Sequence, residues 1–257
     1  MSLLALDNVS VSFGGVAAVR AATMRVEAGE IRGLIGPNGA GKTSLINAIT
    51  GIVRPDSGSI AFAEQPITAL PPDLISARGI GRTFQHVELF RDETVLDNVL
   101  TGLYSHHVYG VAAAIVGFGR ARQVEADARR EAAALLEAFE LAPLAGAPVR
   151  DLPFGIQKRV DLARALAVRP RMLLLDEPIS GMSEAEADAA VATIRALARE
   201  RDITLLVVEH NMRVMMRLAA RITVMHQGGI IAEGTPGEIR GNRLVVDAYL
   251  GDKDDHA

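Results

Sequence analysis

The eight residues Gly36-Pro37-Asn38-Gly39-Ala40-Gly41-Lys42-Thr43 constrain this chain more than any other stretch. They follow the spacing G-x-x-x-x-G-K-[ST], behind a run at Ile31–Ile35 that reads as a strand and ahead of a helical pattern over Lys42–Thr50. Strand, glycine-bent loop and helix in that order form a cradle for an anion. Glycines at 36, 39 and 41 let successive N–H groups point inward, and the helix adds the positive end of its dipole. Phosphate suits such donors. Lys42 would extend a flexible point charge to a β- and γ-phosphate, and Thr43 would offer its hydroxyl to Mg²⁺. A glycine-rich turn that merely ends in Lys-Thr is the alternative, and both flanking elements speak against it.

The rest of the chain reads as α/β with a largely parallel sheet, because short β-branched and aliphatic runs alternate with helical patterns. Strands are expected near Leu3–Ser12, Thr23–Val26, Ile31–Ile35, Ser59–Phe62, Gly81–Phe84, Met172–Leu175, Thr204–Val208, Ile222–Met225 and Ile230–Glu233. Helices are expected near Lys42–Thr50, Asp73–Ala77, Ile156–Val168, Glu184–Arg201, Met212–Leu218 and Arg243–Leu250. Turn signals at Gly14-Gly15 and Gln227-Gly228-Gly229 separate the first and last strand pairs, which predicts an antiparallel piece beside the parallel sheet. Strand signal vanishes between Arg91 and Asp151, where an alanine-rich charged pattern reads as helix from Ala121 to Phe139. The expected organisation is therefore a core over 1–90, a helical insertion over 91–151 and the second part of the core over 152–257. Val108–Gly119 is the insertion's one greasy part and reads as a buried helix in preference to a partner-binding patch. The tail Asp252–Ala257 is expected to fray.

Composition removes several classes. With 49% hydrophobic and 23% charged residues over 257 positions, the chain buries a full core. A net charge of −4 argues against sequence-independent nucleic-acid binding. No cysteine is present, so disulfides, thiolate metal sites and a cysteine nucleophile are all excluded. Neither an export signal nor an apolar run long enough to span a bilayer is expected. Only Lys42, Lys158 and Lys253 are lysine, so 27 − 3 = 24 of the basic residues are arginine. Position 42 thus keeps a slim ammonium where a planar guanidinium would crowd the loop.

A second constellation closes the apolar run Met172-Leu173-Leu174-Leu175 with Asp176-Glu177. Strand alternation points adjacent side chains to opposite faces, which gives the two acids different work. Asp176 would hold Mg²⁺, usually through water, and Glu177 would orient and polarise the attacking water. Solvated turn acids are the plain alternative for such a pair.

Taken together, the loop at 36–43, Phe84-Gln85, Leu152-Pro153-Phe154-Gly155-Ile156-Gln157-Lys158-Arg159 ahead of Ala163-Arg164-Ala165-Leu166, Asp176-Glu177-Pro178, and Val208-Glu209-His210 resemble an ABC transporter ATP-binding cassette in order and spacing. The resemblance covers the whole chain. Phe13-Gly14-Gly15, Gly81-Arg82-Thr83-Phe84-Gln85, the long insertion, Val208-Glu209-His210-Asn211-Met212, Gly234-Thr235-Pro236 and Ala248-Tyr249-Leu250-Gly251 make it most similar to ATP-binding subunits of branched-chain amino acid importers. Relatives that move urea, other amides or lipopolysaccharide share much of this pattern. The implied fold is a P-loop NTPase with a mostly parallel core sheet, an antiparallel β subdomain and an inserted helical subdomain.

Carried onto this chain, the resemblance makes Gly36, Asn38, Gly39, Gly41, Lys42, Thr43, Ser44 and Asp176 the nucleotide contacts, with Phe13 stacking on adenine. A core phenylalanine is the alternative for Phe13. Thr43, Gln85 and Asp176 would hold Mg²⁺; Glu177, His210 and Gln85 would serve hydrolysis, with His210 on the γ-phosphate. Histidines 86, 106, 107, 226 and 256 match nothing and read as surface or loop residues. Implied partners are membrane permease subunits, a second cassette and, indirectly, a substrate-binding protein, at the cytoplasmic face of the membrane and without nucleic acid.

Two departures stand out. Where the family carries a serine in Leu-Ser-Gly-Gly-Gln, this chain has Pro153, although Gly155 stays at a helix start whose N–H groups can still meet an anion. Because family cassettes pair head to tail, that change would weaken the partner's ATP site, which favours a heterodimer with unequal sites over a homodimer. At the second departure, Ser183-Glu184-Ala185-Glu186 has capping-box spacing where many cassettes end the loop with aspartate. Lys158 and Arg159 are expected on a solvated face. The leading function is an energy-coupling ATPase of a transporter. A soluble cassette ATPase acting on ribosomes or DNA would call for two cassettes or a long coiled coil, and a small-metabolite kinase would leave the signature helix and His210 unexplained.

Overall fold

The computed structural model describes residues 2–83, 88–104 and 118–250, with side chains left out at 104, 118–122 and 250. Gln85, His86, His106, His107, His256, residues 108–117 of the greasy stretch Val108–Gly119 and the tail Asp252–Ala257 lie outside the described residues. The chain divides into two compact units. One comprises Met1–Arg82, Arg171–Glu177 and Arg195–Ala257; the other comprises Thr83–Pro170 and Pro178–Ile194.

The first unit holds two sheets. Strands β1 (Ser2–Phe13), β2 (Val16–Glu27), β4 (Ser57–Phe62) and β5 (Gln65–Pro66) form an antiparallel sheet in the order β2-β1-β4-β5. The burial pattern along β2 shows why only Thr23–Val26 read as strand in the sequence: burial alternates strictly over Ala22–Glu27, whereas the alanine-rich first half does not alternate. The second sheet has the order β10-β9-β3-β8-β7-β6, with β3 (Ile31–Ile35), β6 (Ile80–Arg82), β7 (Met172–Asp176), β8 (Thr204–Val208) and β9 (Arg221–His226) parallel, and β10 (Gly229–Gly234) antiparallel to β9. β7 and β8 are buried at every position. Such strands, covered on both faces, have to be continuous apolar runs.

Helix α1 (Lys42–Ile49) packs its buried Leu45, Ile46, Ala48 and Ile49 into a core shared with Leu4, Val19, Ile60, Leu174 and Leu206. Each buried leucine or isoleucine there contributes roughly 1.5–3 kcal/mol by leaving water. A short helix, α2 (Pro72–Ala77), leads into β6.

The second unit is helical. α3 (Val95–Tyr104) and α4 (Phe118–Ala138) pack with α5 (Phe154–Ala167), and buried Asn98 braces the entry to α3, accepting from the Phe90 amide at 2.8 Å and donating to the Phe90 and Thr94 carbonyls. The sequence marked this stretch as an insertion without resolving α3. Helix α6 (Glu184–Glu200) opens on the expected capping box: the Glu186 amide donates to Ser183 Oγ at 3.4 Å and the Ser183 amide to Glu186 Oε2 at 2.9 Å. Back in the first unit, α7 (Met212–Leu218), α8 (Pro236–Arg240) and α9 (Arg243–Leu250) complete the chain. Among the described residues, no helix is long and apolar enough to cross a membrane.

Candidate functional site

Ile35 ends β3 and the chain bends at once into the loop 36–41, which delivers its backbone to the first turn of α1. Gly41 is the helix N-cap at φ 98, and a Cβ there would lie 2.1 Å from the Ala18 carbonyl oxygen. Only glycine meets both demands, the left-handed backbone and the missing side chain. No side chain caps α1. The amides of its first turn therefore have no partner within the helix and present a positive end to whatever occupies the cradle. Asn38 and Gly39 are exposed on the loop, Thr43 is exposed on the first turn, and Gly36 and Ser44 are more enclosed.

Lys42 folds back over the loop. Its ammonium donates to the Gly36 and Pro37 carbonyls at 2.7 and 2.8 Å. Burial draws its pKa below the ordinary lysine range, while the negative charges of Glu177 and Asp176 oppose that shift. The cradle and the two acids at the end of β7 are therefore electrostatically in touch, although more than 130 residues separate them in sequence.

The two acids differ as the sequence suggested, and by more than strand alternation. Asp176, 4% exposed, is the last residue of β7 and pairs with Arg82 at 3.3 Å. Arg82 also donates to Asn47 Oδ1 at 2.6 Å, which ties the end of β6 to α1. Burial lowers the Arg82 pKa, with Asp176 opposing. Glu177 has left the strand: its backbone is left-handed at φ 50, and its amide donates to the Val208 carbonyl at 2.9 Å. A non-glycine residue held there stores about 1–3 kcal/mol of strain. That twist turns Glu177 toward His210, whose Nδ1 lies 3.7 Å from Glu177 Oε1.

Arg82 and Asn47 were not read as site residues, and their only sequence signal was an arginine closing a short strand run. Glu209, 1% exposed beside His210, was missed likewise; a charge ending the apolar run Thr204–Val208 was its signal. Phe13, at the tip of β1, is 49% exposed, so the core alternative for it falls. Gln85 lies outside the described residues.

In the second unit, Pro153 is the N-cap of α5 with no side-chain cap, and Gly155 sits in the first turn. The expectation that Lys158 and Arg159 face solvent is corrected here. Lys158 is 4% exposed, donates to Ser180 Oγ at 3.2 Å and stands 5.6 Å from the Phe154 ring centroid. Its stem crosses the helix surface to a hydroxyl and a π-face, partners that a residue-by-residue reading of charge does not reveal. Arg159 is mostly covered and donates to the Phe139 carbonyl at 3.2 Å. His226, read as a surface residue, is half-buried, and its Nδ1 has no hydrogen-bond partner.

Hard oxygen donors at Thr43 and Asp176 beside a phosphate cradle fit Mg²⁺, which is held by few protein ligands and completes its shell with phosphate and water. Among the described residues no cluster of three or more His, Cys, Asp or Glu could hold a metal by itself.

Comparison with known proteins follows the same lines. Residues 19–180 match the family model described as ABC transporter, and residues 230–255 match one described as branched-chain amino acid ATP-binding cassette transporter. The chain is 37% identical to the high-affinity branched-chain amino acid transport ATP-binding protein BraF of Pseudomonas aeruginosa, over 97% of this chain and 98% of that protein. It is 36% identical to the corresponding protein LivG of Escherichia coli over the same shares. A crystal structure of the ADP conformation of an ATP-binding cassette of an ABC transporter superposes with a TM-score of 0.83 at 31% identity, covering 98% of this chain and 99% of that one.

Proposed function

The chain belongs to the ABC transporter family, and from that premise we propose that it is the ATP-hydrolysing, energy-coupling subunit of an importer for branched-chain or related amino acids. The observation that carries this reading is the convergence of Lys42, Asp176, Glu177 and His210 beside an uncapped phosphate cradle. Relatives named for branched-chain amino acid transport support the cargo.

In this reading the amides of the loop, with Asn38 and Ser44, hold the β-phosphate, and Lys42 exchanges its two loop carbonyls for phosphate oxygens. Phe13 offers its exposed ring to adenine. Mg²⁺, held by Thr43, Asp176 and Gln85, would neutralise developing phosphate charge when bound. Arg82 fixes the Asp176 carboxylate from behind. Glu177 accepts a proton from the attacking water, and His210 keeps the glutamate oriented while facing the γ-phosphate. The Glu177 backbone twist sets this geometry.

Transport requires a path across the membrane, which permease subunits would supply, with this chain held peripherally at the cytoplasmic face. The helical insertion 91–151, flanked by core segments 1–90 and 152–257, would carry the motion to those permeases. We favour pairing with a different cassette, because the amides around Gly155 would serve the partner's ATP without the serine hydroxyl.

Purified chain should bind and hydrolyse Mg-ATP, and a strain lacking it should lose uptake of labelled leucine while glutamine uptake persists. Lys42→Ala should weaken ATP binding about 10- to 100-fold, the worth of a lost charged hydrogen-bond donor, and should fail to restore uptake. Intact leucine uptake in the deletion strain would overturn the cargo, and absent ATPase activity in folded protein would overturn the enzyme.

A further inference from the structure

Helix α9 brings a phenol to the phosphate loop. Val245, Ala248 and Tyr249 share one face of it at i, i+3 and i+4, and the first two are buried where α9 meets β10 and α8. Tyr249 is half-buried. Its hydroxyl oxygen is shielded from solvent and, among the described residues, closes no hydrogen bond. The amide that faces it belongs to Gly36, the first residue of the loop: burial pushes the phenol pKa up, and this amide opposes the push. A buried hydroxyl without a full partner is costly, and a small movement at Gly36 would supply one.

Gly36 is also where the loop is most tightly hemmed in. A Cβ there would lie 2.2 Å from the Met225 carbonyl oxygen, near the end of β9, and 3.1 Å from the Ala40 side chain. The hairpin after β9 grips the same loop, because the Gly228 amide donates to the Ala40 carbonyl at 3.1 Å. On its other side Gly36 meets the charged group of the site: its carbonyl accepts from the Lys42 ammonium at 2.7 Å. One residue therefore touches the phosphate-binding lysine through its carbonyl and faces α9 through its amide.

We propose that Tyr249 is a positioning residue for the phosphate loop, its hydroxyl accepting a hydrogen bond from the Gly36 amide as Lys42 moves from the Gly36 carbonyl to phosphate. Lys42 steadies Gly36 from the carbonyl side until that exchange, and the phenol then steadies it from the amide side. The entry to the loop stays fixed while its lysine changes partners. This inference rests on the reading of Lys42 as a phosphate ligand given above. Tyr249 lies within the match to the branched-chain model at 230–255 and outside the general ABC match at 19–180, so the latch belongs to the segment particular to that narrower family. By linkage, the factor by which the latch raises ATP affinity is the factor by which ATP favours the closed latch.

Tyr249→Phe deletes the oxygen and keeps the ring. In the full chain it should raise the KM for Mg-ATP about 3- to 10-fold, the worth of one neutral hydrogen bond, with kcat and melting temperature unchanged, the signature of lost binding alone. A loss that falls on kcat and melting temperature instead would mark a packing residue and end the proposal. In a Lys42→Ala background the same substitution should change ATP affinity no further, because Gly36 can then meet the phenol with or without nucleotide. Equal factors in the two backgrounds would contradict the exchange. A second readout uses the native sequence, which holds three tyrosines and no tryptophan. Chain labelled with 3-fluorotyrosine gives three ¹⁹F lines, that of Tyr249 being the one lost in Tyr249→Phe, and this line should move on saturation with Mg-ATP. A Tyr249 line that stays in place while ATP binds overturns the latch and leaves the ATPase reading intact. Wild-type chain that binds no ATP in the same titration overturns both.

Discussion

Each of the two units covers a cation beside a motif read in the sequence, and the partners seen at the two sites differ. At the phosphate end, Arg82 meets the Asp176 carboxylate and Asn47, so charge is balanced by charge in a site that must receive more charge. At the signature end, Lys158 meets a hydroxyl and an aromatic face, and its nearest acid on the same helix, Asp161, is itself paired with Arg164 at 2.7 Å. Desolvation raises the Asp161 pKa, with Arg164 and then Lys158 opposing. On the proposed function, the first arrangement positions reacting groups. The second fixes α5 to the loop 178–183.

The sharpest way to break that contrast is at Glu177. Glu177→Gln should keep ATP binding and lower turnover about 10²- to 10⁴-fold, the usual contribution of a general base, measured as steady-state phosphate release. Unchanged turnover would remove Glu177 from the chemistry and leave the phosphate end only a binding site. The same variant, mixed with ATP and sized by chromatography, bears on the pairing: a fully closed homodimer with both sites occupied would contradict unequal sites.

Next in size comes Arg82→Ala. Removing one partner of a buried ion pair strands the other, so unfolding stability should fall by about 3–5 kcal/mol, read from urea denaturation. Lys158→Met should cost less, because buried Asp161, whose charge Lys158 also favours, keeps its direct partner Arg164. Comparable losses at the two positions would mean that the ends are built alike after all.

Smaller still is Pro153→Ser. Restoring the hydroxyl should raise ATPase activity of the assembled transporter a few-fold, since one neutral hydrogen bond is worth about 1 kcal/mol. No change would show that the helix amides already satisfy the anion. Least of all is Ser183→Ala. Hydrogen bonds from the Ser183 hydroxyl and amide hold the Glu186 carboxyl below its ordinary range. A depressed carboxylate stabilises the fold above its unfolded pKa of about 4.5 and ceases to do so as pH falls through the lower, folded value. The variant should melt slightly earlier at neutral pH, and the gap should close in acid.

Legibility followed locality. Ile31–Ile35, Thr204–Val208 and Met212–Leu218 appear at their expected limits, since a doubly covered strand is mostly aliphatic and a short helix needs a clear cap. Helix α8 went unread although Thr235-Pro236-Gly237-Glu238 forms a full capping box, because so brief a helix shows no periodicity. The strand order β10-β9-β3-β8-β7-β6 was beyond reach, being set by pairings between distant segments. So was the Arg82–Asp176 contact. The loop, Asp176 and Glu177 were readable because their spacing is a local demand of backbone geometry; the partner of Lys158 was not, since nothing near it in sequence announces Ser180.

The left-handed backbone at Glu177 has an evolutionary edge. Asparagine or glycine would sit there with less strain, so drift away from glutamate is downhill for the fold and, on the role proposed for Glu177, ruinous for turnover. Selection for stability alone would erase this enzyme's activity, and a lineage that no longer needed hydrolysis would leave a tougher protein behind as its only trace.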